Sequence, residues 1–164
     1  MRETPPNSAN VLLSFSTGCL YGFPLRTSFA VASEAGFEGV ELFMGPKVWL
    51  RGTGCASSLA RDHGLAIYSV HPSPLGISRH GRGVGCIRDG VVAAVELGCR
   101  WAVVHVPVVS CWADPRAQRW LRVVDDCQRR TRDSATRLAL ENRGIDPERG
   151  GQTVLGELSD LSSE

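Results

Sequence analysis

Five short apolar runs at a nearly constant interval restrict what this chain can fold into. Val11 to Phe15 (VLLSF), Gly39 to Phe43 (GVELF), Leu65 to Val70 (LAIYSV), Trp101 to Val106 (WAVVHV) and Leu138 to Asn142 (LALEN) each read as a buried strand. Near-continuous apolar runs of this length suit strands of a parallel sheet, covered on both faces. The segments between them carry helical spacing and punctuation. The first runs from Pro24, a good first-turn residue, through Leu25, Phe29, Ala32 and Ala35 to a stop at Gly36. The second is interrupted by Gly52 and Gly54, and Leu59 and Ala60 before Gly64 predict a short helix ending there. The third carries Val84, Ile87, Val91, Ala94 and Val95 before Gly98. The fourth opens with Asp114 as N-cap and Pro115, then Ala117, Trp120, Leu121, Val124 and Cys127.

From Phe15 to Glu141 the strands recur about every 31 residues. Strand, helix and strand at that interval are the mark of right-handed βαβ crossovers, so the class is α/β with a parallel sheet. Eight such units would make the roughly 250 residues of a (β/α)8 barrel. This chain supplies about five of the eight, an incomplete parallel (β/α) barrel of TIM type. A five-stranded flavodoxin-like open sheet also fits the length, and strand count alone favours it. Residues 1–10 (MRETPPNSAN) read as a flexible leader and residues 11–164 as the partial barrel domain. After Gly151, Val154, Leu155, Leu158 and Leu161 form the stripe of a predicted fifth helix.

Composition narrows the function classes. With 43% hydrophobic and 21% charged residues in 164, the chain can bury an ordinary core, and disorder, collagen and coiled coil are excluded. No apolar run approaches the roughly 20 residues of a membrane helix, and the leader has no signal-peptide stretch, so no membrane is expected and the cytoplasm is the default compartment. A net charge of +1 provides no field to gather nucleic acid, although 17 of the 18 basic residues are Arg and only Lys47 is Lys. Cysteines 19, 55, 86, 99, 111 and 127 show no C-x-x-C or zinc-ribbon spacing, and they are expected to be free, mostly buried thiols.

In a parallel α/β architecture chemistry collects at the carboxyl ends of the strands. Four titratable residues fall there, one on each of strands two to five: Glu41, His71, His105 and Glu141. Two imidazoles and a carboxylate converging on one mouth can form the shell of a divalent ion such as zinc or manganese. Singly, each has a plainer reading. A strand-end His commonly hydrogen-bonds neighbouring backbone, and a salt bridge to a barrel Arg would satisfy Glu41. Glu141 is the strongest case, because a carboxylate in an apolar strand costs several kcal/mol unless paired, protonated or metal-bound. His63 and His80 read as solvated. The Gly81–Gly85 loop (GRGVG), with Arg79 and Arg82, can offer N–H groups to a phosphate, but it lacks the fingerprint spacing and the P-loop lysine and reads as a connection. The Arg129, Arg130, Arg132 and Arg137 cluster reads as a solvated face.

The blocks STGCLYGFPL, AVASEAGFEGVELF, GLAIYSVHPSPLG, AAVELGCRWAVVHVP and LALENRG occur in this order. Together they resemble the sugar phosphate isomerase/epimerase family, the xylose isomerase-like TIM barrels that also include endonuclease IV-type enzymes. The resemblance runs from about residue 12 to the end. It implies a divalent-metal site (Mn, Zn or Co) at the barrel mouth, with Glu141 as metal ligand and acid/base residue and His71 and His105 as further metal ligands; Glu41, from its strand-end position alone, is read as a substrate-binding residue. It also implies a small-molecule sugar or sugar phosphate as substrate and metal-assisted proton transfer beside a carbonyl as the reaction. The family's remaining ligands, on strands six to eight, have no counterpart. The expectation is therefore a truncated barrel with an incomplete site and open sheet edges able to pair with a second copy. The alternatives are an abasic-site phosphodiesterase-like enzyme and a non-catalytic half-barrel remnant that pairs with a partner.

Overall fold

A computed structural model describes residues 12–73, 77–78, 81–107, 109 and 111–141. Five strands form one parallel sheet: β1 (Ser14–Ser16), β2 (Gly39–Phe43), β3 (Ala66–His71), β6 (Trp101–His105) and β7 (Arg137–Glu141), in the order β1-β2-β3-β6-β7. The helices between them are α1 (Leu25–Glu34), α2 (Pro46–Arg51), α3 (Thr53–Asp62), α4 (Gly85–Leu97) and α5 (Pro115–Thr131). Two short strands, β4 (Ile77–Ser78) and β5 (Gly81–Arg82), pair antiparallel outside the main sheet.

The strand order decides between the two architectures the sequence left open. A flavodoxin-like sheet reverses direction beside its first strand and so carries helices on both faces. Here the order only advances, and right-handed crossovers that always advance put every helix on one face. Accordingly α1 packs on α3, α3 on α4 and α4 on α5, a single layer. This is the arc of a barrel wall.

The core lies between that layer and the sheet. Val40 and Leu42 of β2, Val70 of β3 and Val104 of β6 are fully buried against Phe29 of α1 and Val91 of α4. Residues on the opposite, inward face include Glu41, Ser69, His71 and His105, all partly exposed. β3 does not alternate regularly. Val40 pairs with Ile67, but Glu41 pairs with Ser69, so Tyr68 is an extra residue, a β-bulge. Its ring lies over Gly39, where a Cβ would stand only 2.5 Å from the ring and 2.7 Å from the Ala66 carbonyl. Ile67 and Val70, three apart, therefore both pack against the helix layer, and His71 turns inward. Without the bulge, period-two alternation would aim His71 into the helices.

Several expectations change in detail. Leu12 and Leu13 are exposed, and β1 begins at Ser14, with the Leu13 N–H donating to Glu38 Oε2 at 3.0 Å. The second crossover holds two helices, because Gly52, at φ 76°, breaks the path between α2 and α3. Gly81 and Arg82 form β5 of a small hairpin. α4 ends as read, at Gly98 in the left-handed region. α5 is capped by Asp114, whose carboxylate accepts the Arg116 N–H at 2.7 Å. The arginine cluster is surface: Arg129 pairs with Asp125, Arg130 with Asp126 at 3.2 Å, and Arg88 of α4 joins Asp126 at 3.0 Å. All six cysteines are thiols; Cys86, Cys99 and Cys127 are buried, Cys55 is half-buried, and Cys19 and Cys111 are exposed. Asn142, His80 and the predicted fifth helix lie outside the described residues.

Candidate metal centre

His71, His105 and Glu141 are the last residues of β3, β6 and β7. Adjacent parallel strands bring their ends to one rim, and register brings His105 directly opposite Glu141. His71 Nε2 lies 3.0 Å from His105 Nε2 and 3.2 Å from Glu141 Oε2, and His105 Nε2 lies 3.5 Å from the same oxygen. Three donor atoms from three strands thus form a nearly regular triangle.

The protonation pattern makes that triangle informative. His71 Nδ1 sits 2.7 Å from the Pro72 carbonyl, which can only accept, so this nitrogen carries a proton and the ring presents its Nε2 edge to the triangle. The His71 and His105 Nε2 atoms and the Glu141 oxygen crowd together at distances that a proton or a cation lying between them accounts for. Tetrahedral ligands about 2.0–2.1 Å from a zinc-sized ion stand about 3.3–3.4 Å apart, and ligands on an octahedral face stand about 2.9 Å apart. The observed edges, 3.0, 3.2 and 3.5 Å, each lie within about 0.1 Å of the interval between those values. Nitrogen and carboxylate donors together suit zinc, manganese or cobalt, and the Nδ1 bond to backbone is the usual second support of a ligating imidazole. The residues present therefore fit a divalent metal.

The backbone behind each donor is also held. The His71 carbonyl accepts the Met44 N–H at 2.8 Å, the Glu141 carbonyl accepts the Val106 N–H at 3.1 Å, and the His105 carbonyl accepts Trp120 Nε1–H at 2.8 Å. Phe43 stacks on His71, with centroids 5.7 Å apart and planes at 18°, and Tyr21 meets Phe43 edge-on at 5.5 Å. The His71 and His105 side chains are 15% and 16% exposed and Glu141 is 53% exposed, so the carboxylate is the accessible member.

Glu41 lies on the same inward face but outside this group. Its carboxylate accepts Ser16 Oγ at 2.9 Å and Ser69 Oγ at 3.4 Å, hydroxyls from the two flanking strands. It makes no ion pair with an arginine among the described residues. The sequence reading named all three members of the triangle. It did not find the Trp120 clamp, the Phe43 stack or the Tyr68 bulge; the one available signal for the bulge is the three-residue spacing of Ile67 and Val70 within a strand.

No protein-family profile matches this chain, and no curated protein does. Solved structures do match in fold. An AP endonuclease of family 2 from Brucella melitensis superposes with a TM-score of 0.61 at 18% identity, over 86% of this chain and 59% of that one. A xylose isomerase domain protein from Planctomyces limnophilus gives 0.59 at 15% identity, over 80% and 52%. A sugar phosphate isomerase/epimerase from Parabacteroides distasonis gives 0.58 at 16%, over 96% and 64%. This chain has the xylose isomerase-like TIM-barrel fold. It spans between half and two thirds of the length of those structures, and its five strands make up part of the barrel. Among the described residues, no helix is long and apolar enough to cross a membrane.

Proposed function

We propose that this chain carries the metal-holding side of an isomerase or epimerase that moves a proton beside the carbonyl of a sugar or related polyol, free or phosphorylated. The observation that carries the reading is the triangle of His71 Nε2, His105 Nε2 and Glu141 Oε2, with edges of 3.0–3.5 Å. A divalent ion held there supplies positive charge that draws electrons from a neighbouring carbonyl and makes the adjacent C–H acidic. His71 and His105 hold it through Nε2. Glu141, at the open side, has a second carboxylate oxygen with which to take the proton from that carbon and return it. Glu41, fixed by Ser16 and Ser69, accepts a hydrogen bond from a substrate hydroxyl. Phe43 and Tyr21 form an apolar wall beside His71 that keeps water from one side.

The test is metal analysis of purified protein equilibrated with zinc, manganese or cobalt. About one ion per chain is expected, and His71→Ala and Glu141→Ala should each weaken binding by more than the roughly 10–100-fold typical of outer-shell changes. Absence of stoichiometric metal, or an unchanged affinity in Glu141→Ala, overturns the reading. The paired imidazoles also favour a second reading, hydrolysis of a phosphodiester at an abasic site. Incubation with an abasic duplex and zinc decides it, since an intact strand removes that option.

A further inference from the structure

Beside the metal group, between the segment leading into α4 and the start of α5, lies a cavity of about 310 Å³ to which His105 contributes. Its walls are largely apolar, built by Val84 and Ile87 of the α4 entrance, Val106 after β6 and Trp120 of α5. A sugar ring, which is ringed by hydroxyls, gains little from such walls. Two guanidinium side chains also line it, Arg116 and Arg119, on the first turns of α5. They are not equivalent. Arg116 is neutralised by Asp114, Nη2 to Oδ2 at 2.8 Å, and that pairing also holds the Asp114 carboxyl below its usual range. Arg119 makes no ion pair and no hydrogen bond with the described residues, so its charge and its forked donors remain available to a ligand. The GRGVG segment, set aside above as a connection, meets the same cavity through Gly83 and Val84, where Gly83 takes φ 112°.

We propose that this cavity is a subsite for the far end of the substrate, an oxyanion carried on a short apolar stem, with Arg119 as the residue that selects it. The proposal rests on the metal reading above for the reacting end, since the cavity adjoins the metal group through His105. Its own content is independent: the molecule that fits is amphipathic and acidic, a phosphate ester or a carboxylate, and a neutral hexose is a poor match. Arg119 is exposed at the rim of the cavity, so the discrimination it supplies comes from charge-assisted, forked hydrogen bonds to the anion while the stem fills the apolar space.

The probes are n-butyl phosphate, butyrate, inorganic phosphate and n-butanol, titrated calorimetrically into the full chain with and without zinc. n-Butyl phosphate or butyrate should bind at least tenfold more tightly than inorganic phosphate and than n-butanol, and whichever of the two binds better names the anion. Arg119→Ala should lose tenfold or more, Arg119→Lys should recover part of it, and Arg122→Ala, one turn further along the exposed face, should change nothing. Equal losses in Arg119→Ala and Arg122→Ala, or no preference for the stemmed anions, overturn the proposal. Circular dichroism of each variant separates lost binding from lost fold. Stoichiometric zinc without anion binding defeats the subsite alone. Arg119-dependent anion binding in a chain that holds no zinc defeats the metal reading and leaves the subsite standing.

Discussion

The side chains of this protein divide sharply into those that packing silences and those that the inward face leaves available. Cys99 and Cys127 belong to the first kind: burial pushes both thiols up to about 11, so they remain protonated through the neutral range. With a thiol-specific disulfide reagent at pH 8, Cys19 and Cys111 should react at once, and Cys99 and Cys127 only on unfolding. Fast labelling of all six would contradict the core described above. Trp120 belongs to both kinds, because its buried ring lines the cavity and its Nε1 holds the His105 carbonyl. Trp120→Phe keeps most of the apolar contact and removes the donor, leaving a carbonyl unsatisfied. A loss of about 1–3 kcal/mol in denaturant unfolding is expected, with a measurable weakening of metal binding. At this scale the sequence was most readable for the site. A histidine or glutamate ending an apolar run is conspicuous, and His71, His105 and Glu141 meet. The partners of Glu41 were not readable, since Ser16 and Ser69 are 25 and 28 residues away and only the strand register makes them neighbours.

Among the elements, β3 carries the most consequence for function. The Tyr68 bulge sets the face on which His71 emerges, and Gly39 makes room for the Tyr68 ring. Gly39→Ala should force the ring and the Ala66 carbonyl away, at a cost of about 1–3 kcal/mol. Its metal affinity should fall further than that of an equally destabilised core variant, such as one at Val91, and equal affinities would deny the bulge its aiming role. α5 offers a pH test. The Arg116 side chain, and then the Arg116 N–H, hold the Asp114 carboxyl below its usual 3.8 in the folded chain. A depressed folded value means stabilisation that is fully present above the unfolded value and is lost as pH falls through the folded one. The melting-temperature advantage of the wild type over Asp114→Ala should therefore hold at pH 5 and above and shrink below about pH 4. The main strands and α1, α4 and α5 were legible because each is long enough to show its period. α2, β4 and β5 were not, being six, two and two residues long, below the length at which a period can be read. The bulge escaped because a single inserted residue alters no composition.

For the molecule as a whole, the advancing strand order matters more than the strand count. The repeat interval alone allowed an open doubly wound sheet or a barrel arc, and only the order of pairing, which sequence does not display, separated them. The centre joins three strands separated in sequence by 34 residues or more, so an ion bound there is linked to the fold of the entire sheet. At a hundredfold excess over its dissociation constant, a bound metal should add about 2.7 kcal/mol of stability, seen as a raised melting temperature that Glu141→Ala abolishes. A melting temperature indifferent to zinc would mean that the ion does not engage the native sheet. The three carbonyl clamps behind the donors, from Met44, Trp120 and Val106, give the centre the character of a mould rather than a net. An ion binding there as proposed would meet a shape cast beforehand and would have to suit it by radius and taste in ligands. On the proposed reading, calcium, which asks for six to eight oxygens at about 2.3–2.6 Å, would be turned away by two nitrogens set this close together.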